Sequence, residues 1–148
     1  MRRAALFLVL LAPLAAGCDL LGTRGGTTAD VAARAGRTFQ LREGQTARLG
    51  GSDHRIRFER VARDGRCPTD VDCFWEGEAL LVMGRSHPVA RYAGPDTLTT
   101  LSPRPGYRYA DSLVAGPYVV RLRALDPHLR VGEPRPARYT ATFALAKR

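Results

Sequence analysis

Lysine, isoleucine and asparagine have almost vanished from this chain: Lys147 and Ile56 each stand alone, and asparagine is absent. All three have AT-rich codons, so a GC-rich genome accounts for arginine standing where lysine would. No apolar run reaches the roughly 20 residues that a helix needs to cross a bilayer core. The run over 4–16 is shorter and is interrupted by Pro13. No helical apolar period is sustained beyond residue 37, which excludes a helical core. There is no internal repeat and no second domain. Catalytic signatures are missing too: no G-x-S-x-G, no H-E-x-x-H and no phosphate-cradling glycine loop after a strand. His54, His87 and His128 share no metal-ligand spacing, and each is expected as a solvated side chain near a turn. Ser52, Asp53 and His54 have triad-like types, but neighbours on a strand point to opposite faces and cannot line up. The expectation is a chain that is not an enzyme and uses no cofactor.

What is present begins with a leader, MRRAALFLVLLAPLAAGCDLLG. A basic start precedes an apolar stretch of signal-peptide length. Ala15, Ala16 and Gly17 then lead into Cys18, an order that resembles the lipobox of bacterial lipoproteins. The resemblance implies cleavage before Cys18 and a diacylglyceryl group on its thiol, with the new amine acylated. Residues 1–17 are then a lipoprotein signal peptide. The partner so implied is a lipid bilayer, reached through acylated Cys18. The domain would stand in the periplasm or at the cell surface. Several acyl chains, at about 0.8 kcal/mol per buried CH₂, hold a small domain where a single chain is marginal.

Cleavage leaves about 130 residues, one domain of ordinary size. The charge of +9 falls to +7 with the loss of Arg2 and Arg3. The arginines are scattered, and Arg55, Arg57, Arg121 and Arg123 alternate with apolar residues as the wet face of strands does. Nucleic acid is therefore not an expected partner. An envelope protein or an anionic lipid or polymer fits better.

Residues 18–37 are rich in Gly, Ala and Thr and read as a flexible tether, with a weak helical tendency over 30–35. From residue 38 the apolar period becomes two. A hairpin is expected over 38–50, turning at Glu43-Gly44. Ile56 and Phe58 alternate with arginines, and Val61 breaks parity, which predicts a β-bulge near Glu59 and Arg60. Residues 78–83, EALLVM, are apolar on both faces from Leu80 to Met83 and predict a strand that is central or covered on both sides. Tyr118, Val120, Leu122 and Ala124 share one face of a later strand; Tyr139, Ala141, Phe143 and Leu145 share one face of the last. Seven to nine short strands over 38–148 predict an all-β fold, an antiparallel, immunoglobulin-like β-sandwich.

Within it lies RCPTDVDCFWEG, residues 66–77. Outside the cytoplasm a disulfide is the default for Cys67 and Cys73, and the lipid accounts for the odd cysteine. The spacing is not the C-x-x-C of a redox site. Closing so small a loop stabilises by about 2 kcal/mol on a chain-entropy model. Trp75, just past the clasp, is expected to cap the end of the core with its ring packed. A competing reading makes Asp70, Asp72, Trp75 and Glu76 a rigid partner-binding loop. A third lets Asp70, Asp72, Glu76 and Glu78 hold Ca²⁺, or serve a cryptic enzyme, although the Gly and terminal Glu of an EF-hand are missing.

Phe58-Glu59-Arg60-Val61, Arg66-Cys67-Pro68 and Cys73-Phe74-Trp75-Glu76-Gly77-Glu78-Ala79 resemble a pattern of small exported bacterial proteins and lipoproteins, F-x-x-V-x-x-D-S-R-C-P followed by C-x-W-x-G-x-A. Here Asp64-Gly65 stands for Asp-Ser. The resemblance implies export, the disulfide and a strand-rich fold, and it brings no activity. The function expected is non-enzymatic binding or an envelope-structural role. Inhibition of a hydrolase is the alternative, though a basic domain suits a basic lysozyme poorly.

Overall fold

The computed structural model describes residues 29–89 and 94–148. The expected leader, Cys18 and the tether as far as residue 28 lie outside the described residues. Nine strands follow one another: β1 Val31–Ala33, β2 Thr38–Arg42, β3 Thr46–Leu49, β4 Arg55–Asp64, β5 Ala79–Ser86, β6 Asp96–Thr99, β7 Ser112–Ala115, β8 Tyr118–Asp126 and β9 Thr140–Lys147. They form a sheet of order β1-β3-β4-β5-β6 and a sheet of order β2-β9-β8-β7. The chain is an all-β sandwich, and no helix occurs among the described residues.

Alternation drives the packing. On β9, Ala141, Phe143 and Leu145 are buried while Thr140 and Thr142 are half-buried. Phe143 stacks on Phe39 of β2 with ring centroids 5.6 Å apart. Leu41, Leu49, Ile56, Phe58, Leu81 and Met83 complete the centre of one core. Each such side chain contributes about 1.5–3 kcal/mol on burial. On β5, Ala79, Leu81 and Met83 face that core, and Leu80 on the other parity is also buried. The strand is flanked by β4 and β6, as its two apolar faces predict.

The parity break at Val61 is a bulge between Phe58 and Arg60, and a second lies between Val61 and Arg63. Two expectations about β-pairing need correction. The 38–50 segment is not a hairpin: β2 pairs with β9 and β3 with β4, in different sheets. At the Glu43-Gly44 turn, the Glu43 N–H bonds to Tyr139 and the Gly44 N–H to Phe58, so the turn bridges the two layers. Both strands still bury Phe39, Leu41, Ala47 and Leu49, because the sandwich buries the same parity that a hairpin would. On β8 a bulge between Leu122 and Ala124 exposes Ala124 and buries Leu125 instead.

The expected tether is also corrected in its last part. Val31–Ala33 pair with β3 in parallel, Ala33 is buried, and Asp30 bonds to Arg55 at 2.8 Å. Two small apolar residues on an edge strand carry too little periodicity to be seen against Ala- and Gly-rich surroundings.

Candidate functional site

Four segments meet at the end of the sandwich where β4 finishes: the β2–β3 turn and the loops 65–78, 100–111 and 127–139. The loop 65–78 extends the β4–β5 ladder. Gly65 N–H bonds to the Glu78 carbonyl at 2.8 Å and Cys67 N–H to the Glu76 carbonyl at 2.9 Å. Beyond this stem Cys67 and Cys73 are joined by a disulfide, with Cα atoms 6.0 Å apart. The clasp sits at the far end of the stem, past the last layer of the core.

That position overturns the expected capping role of Trp75. Its side chain is 74% exposed, and Phe74 beside it is 99% exposed. The two rings meet edge to face with centroids 5.9 Å apart. At this end Leu125, Tyr139 and Arg66 are buried without any cover from Trp75.

Arg66 is the residue that sequence reading missed. It is buried, and its side chain is 6% exposed against 1% for its partner Asp64. Nε donates to Asp64 Oδ1 at 2.9 Å and Nη2 to Oδ2 at 2.7 Å, a two-pronged pairing. Nη1 donates to the Leu125 carbonyl, and Nη2 also reaches the Pro127 carbonyl at 2.8 Å. One guanidinium therefore ties the stem of the cysteine loop to the end of β8. Five donors in a planar fork suit this task, which a lysine could not perform. The available signal was an acid and an arginine two residues apart, immediately before the cysteine.

Burial pushes the Asp64 carboxyl up, but the hydrogen bonds and charge of Arg66 outweigh it, and its pKa lies below the usual aspartate value. A carboxyl depressed on folding stabilises above its unfolded pKa of about 3.9, and the gain is lost as pH falls through the folded value. Urea unfolding of the native chain and of Asp64→Asn, compared from pH 7 down to pH 3, should show a stability gap that narrows below about pH 4. A gap that stays constant with pH would assign the effect to packing alone.

The four loop carboxylates do not converge. Asp70 accepts the Val131 N–H at 3.0 Å, and Asp72 is exposed. Glu76 pairs with Arg104 at 3.1 Å. Glu78 accepts from Arg63 and Tyr107, and from Thr99 at 3.0 Å. Burial raises the Glu78 pKa, yet those hydrogen bonds prevail and hold it below the ordinary glutamate value. Glu78 thus works as a structural acceptor joining β4, β6 and the loop 100–111. Among the described residues no group of three or more His, Cys, Asp or Glu is placed to hold a metal ion.

The loops are fastened to one another. Thr69 N–H bonds to the Leu129 carbonyl at 3.1 Å, and Arg135 reaches the Val61 carbonyl at 2.6 Å beside the second bulge. A groove of about 430 Å³ runs between the stem and the loop 100–111, lined by Arg63, Trp75, Glu76, Glu78, Leu101 and Arg104. Its ion pairs are mutually neutralised, and its aromatic wall is open to solvent. The arrangement is suited to contact through apolar surface on a braced support.

At the opposite end the structure brings two histidines together. His54 and His87 stack with centroids 4.3 Å apart, because Arg55 and Ser86 are partners at the end of the β4–β5 ladder. Burial, and then the charge of His87, lower the His54 pKa against the opposing effect of Asp53. Their separation of 33 positions in sequence concealed this pairing. Compared with protein-family models, curated proteins and solved structures, the chain matches none significantly.

Proposed function

We propose that this is a bacterial lipoprotein, anchored through acylated Cys18 outside the cytoplasm, whose β-sandwich binds an envelope component without catalysing a reaction. The observation that carries the reading is the exposure of Phe74 and Trp75, 99% and 74%, on a loop braced by a disulfide and by Arg66. Isolated exposed apolar residues are ordinary, but adjacent aromatic rings on a fixed support mark contact surfaces. A pre-ordered loop loses little entropy when it binds, so the contact area is not offset by ordering. Of the carboxylates that an ion or a general acid–base pair would need, Asp70, Glu76 and Glu78 are occupied in separate contacts and Asp72 is exposed.

The test is photocrosslinking in the native host. A photoreactive phenylalanine at position 75 should give adducts with an envelope component in the membrane fraction, whereas one at position 114, on β7, should give few. Mass spectrometry of the same material should find Cys18 carrying acyl chains. Equal labelling from both positions would remove the tip as the contact surface, and an unmodified Cys18 would remove the anchor.

A further inference from the structure

We infer that the disulfide-clasped tip is a membrane-interface site, with Val71, Phe74, Trp75 and Val131 entering the interfacial zone of the bilayer that holds Cys18. The inference rests on the lipid-anchored reading above and names the surface that the tip meets.

Topology supplies the orientation. β1 runs parallel to β3, with Val31 beside Ala47 and Ala33 beside Leu49. β3 runs antiparallel to β4, whose last residue, Asp64, leads into the tip. The chain therefore enters β1 from the tip end of the sandwich. Ten residues lie between Cys18 and Ala29, and a chain of that length spans at most about 36 Å. From Ile56, level with Val31 across β3, to Cys67 at the head of the stem is eleven residues along β4 and its extension, about 36 Å, and Ala29 already stands two residues nearer the tip than Val31. The direction of entry turns the tip towards an anchored Cys18, and the length is enough to let the two share one bilayer surface.

The side chains at that end fit the interface. Val71 and Val131 are 45% and 58% exposed, and Val131 is held beside the cysteine loop by its N–H bond to Asp70. They add aliphatic surface to the two rings. An indole has an apolar body and one N–H, which is why tryptophan favours the zone between headgroups and acyl chains. Charge selects between a bilayer and an acidic polymer. The loops 65–78, 100–111 and 127–139 carry six arginines and six acidic residues. A tip without net charge has no field to gather a polyanion, but it meets a zwitterionic headgroup layer at little electrostatic cost.

Trp75 is the only tryptophan, so its fluorescence reports on the tip alone. Full-length lipidated protein from the native host is reconstituted into phosphatidylcholine vesicles, and the acylation of Cys18 is checked by mass spectrometry. Trp75 emission should shift to the blue, lose most of its quenching by aqueous iodide, and be quenched by lipids brominated near the headgroup end of the acyl chain. The contact should persist in molar salt. Phe74→Ser, at a position 99% exposed and outside the core, should reduce bromine quenching severalfold with an unchanged circular dichroism spectrum. Acylated protein whose Trp75 stays water-like overturns the inference and leaves the anchor standing. Shielding from iodide without bromine quenching assigns the cover to a second copy of the chain and also overturns it. Contact that salt abolishes overturns apolar insertion. Protein without acyl chains on Cys18 brings down the anchored reading and the inference with it.

Discussion

Replacing Arg66 with alanine is expected to lower the free energy of unfolding by about 3–5 kcal/mol, the cost of leaving one member of a buried ion pair without its partner. The side chain of Asp64 is 1% exposed, so water cannot take over its solvation. The carbonyls of Leu125 and Pro127 lose donors in the same step, and an unsatisfied buried acceptor adds about 1–3 kcal/mol where water stays excluded. A double replacement separates these contributions. Asp64→Leu with Arg66→Met removes both charges, and such exchanges are neutral or stabilising by about 1–4 kcal/mol when the pair alone is at stake. Here recovery should be partial, because neither new side chain can donate to the two carbonyls. Denaturant midpoints of the native chain, both single variants and the double variant would show it. An Arg66→Ala protein as stable as the native chain would mean that the pair does not brace the loop.

A second large effect is expected from Gly77→Ala. Gly77 has φ +63°, and a Cβ there would stand 2.0 Å from the Gly65 carbonyl oxygen and 3.1 Å from Arg66 Cα. Both obstacles are backbone, so no rotamer change relieves them. The left-handed conformation costs a non-glycine residue about 1–2 kcal/mol, and overpacking adds about 1–3 kcal/mol. A loss of about 3 kcal/mol or more follows, because the stem of the cysteine loop must open to admit the methyl group. Gly65→Ala is the matched control. Its Cβ would meet the Glu78 carbonyl oxygen at 3.5 Å, an ordinary contact, and its φ is not positive. That change should alter stability by less than about 1 kcal/mol. Equal effects of the two alanines in thermal or urea unfolding would show that the stem does not hold the register described.

Both predictions concern residues whose types were conspicuous in the sequence and whose tasks were not. Asp64 and Arg66 stood two residues apart beside a cysteine, yet composition places arginine on surfaces, and nothing local says that this one faces the end of β8 and the loop beyond. Trp75 misled in the opposite direction. A lone tryptophan beside a disulfide reads as core, and its 74% exposure follows only from the stem that carries the clasp past the sheets.

The alternation of apolar residues, the bulge at Glu59 and Arg60, the strand at 78–83 and the Cys67–Cys73 bond were determined by sequence alone. The strand features depend on neighbours along one strand, so local periodicity suffices; the bond followed from two nearby cysteines together with the expected export. Sheet membership of β2 and β3, the recruitment of Val31–Ala33, the meeting of His54 with His87 and the tie that Arg66 makes from the cysteine loop to the end of β8 were decided only by tertiary structure. These pairings join residues far apart in the chain. A strand of given parity buries the same side chains whichever partner it takes, so hydrophobic pattern constrains what is buried and leaves open what it is buried against.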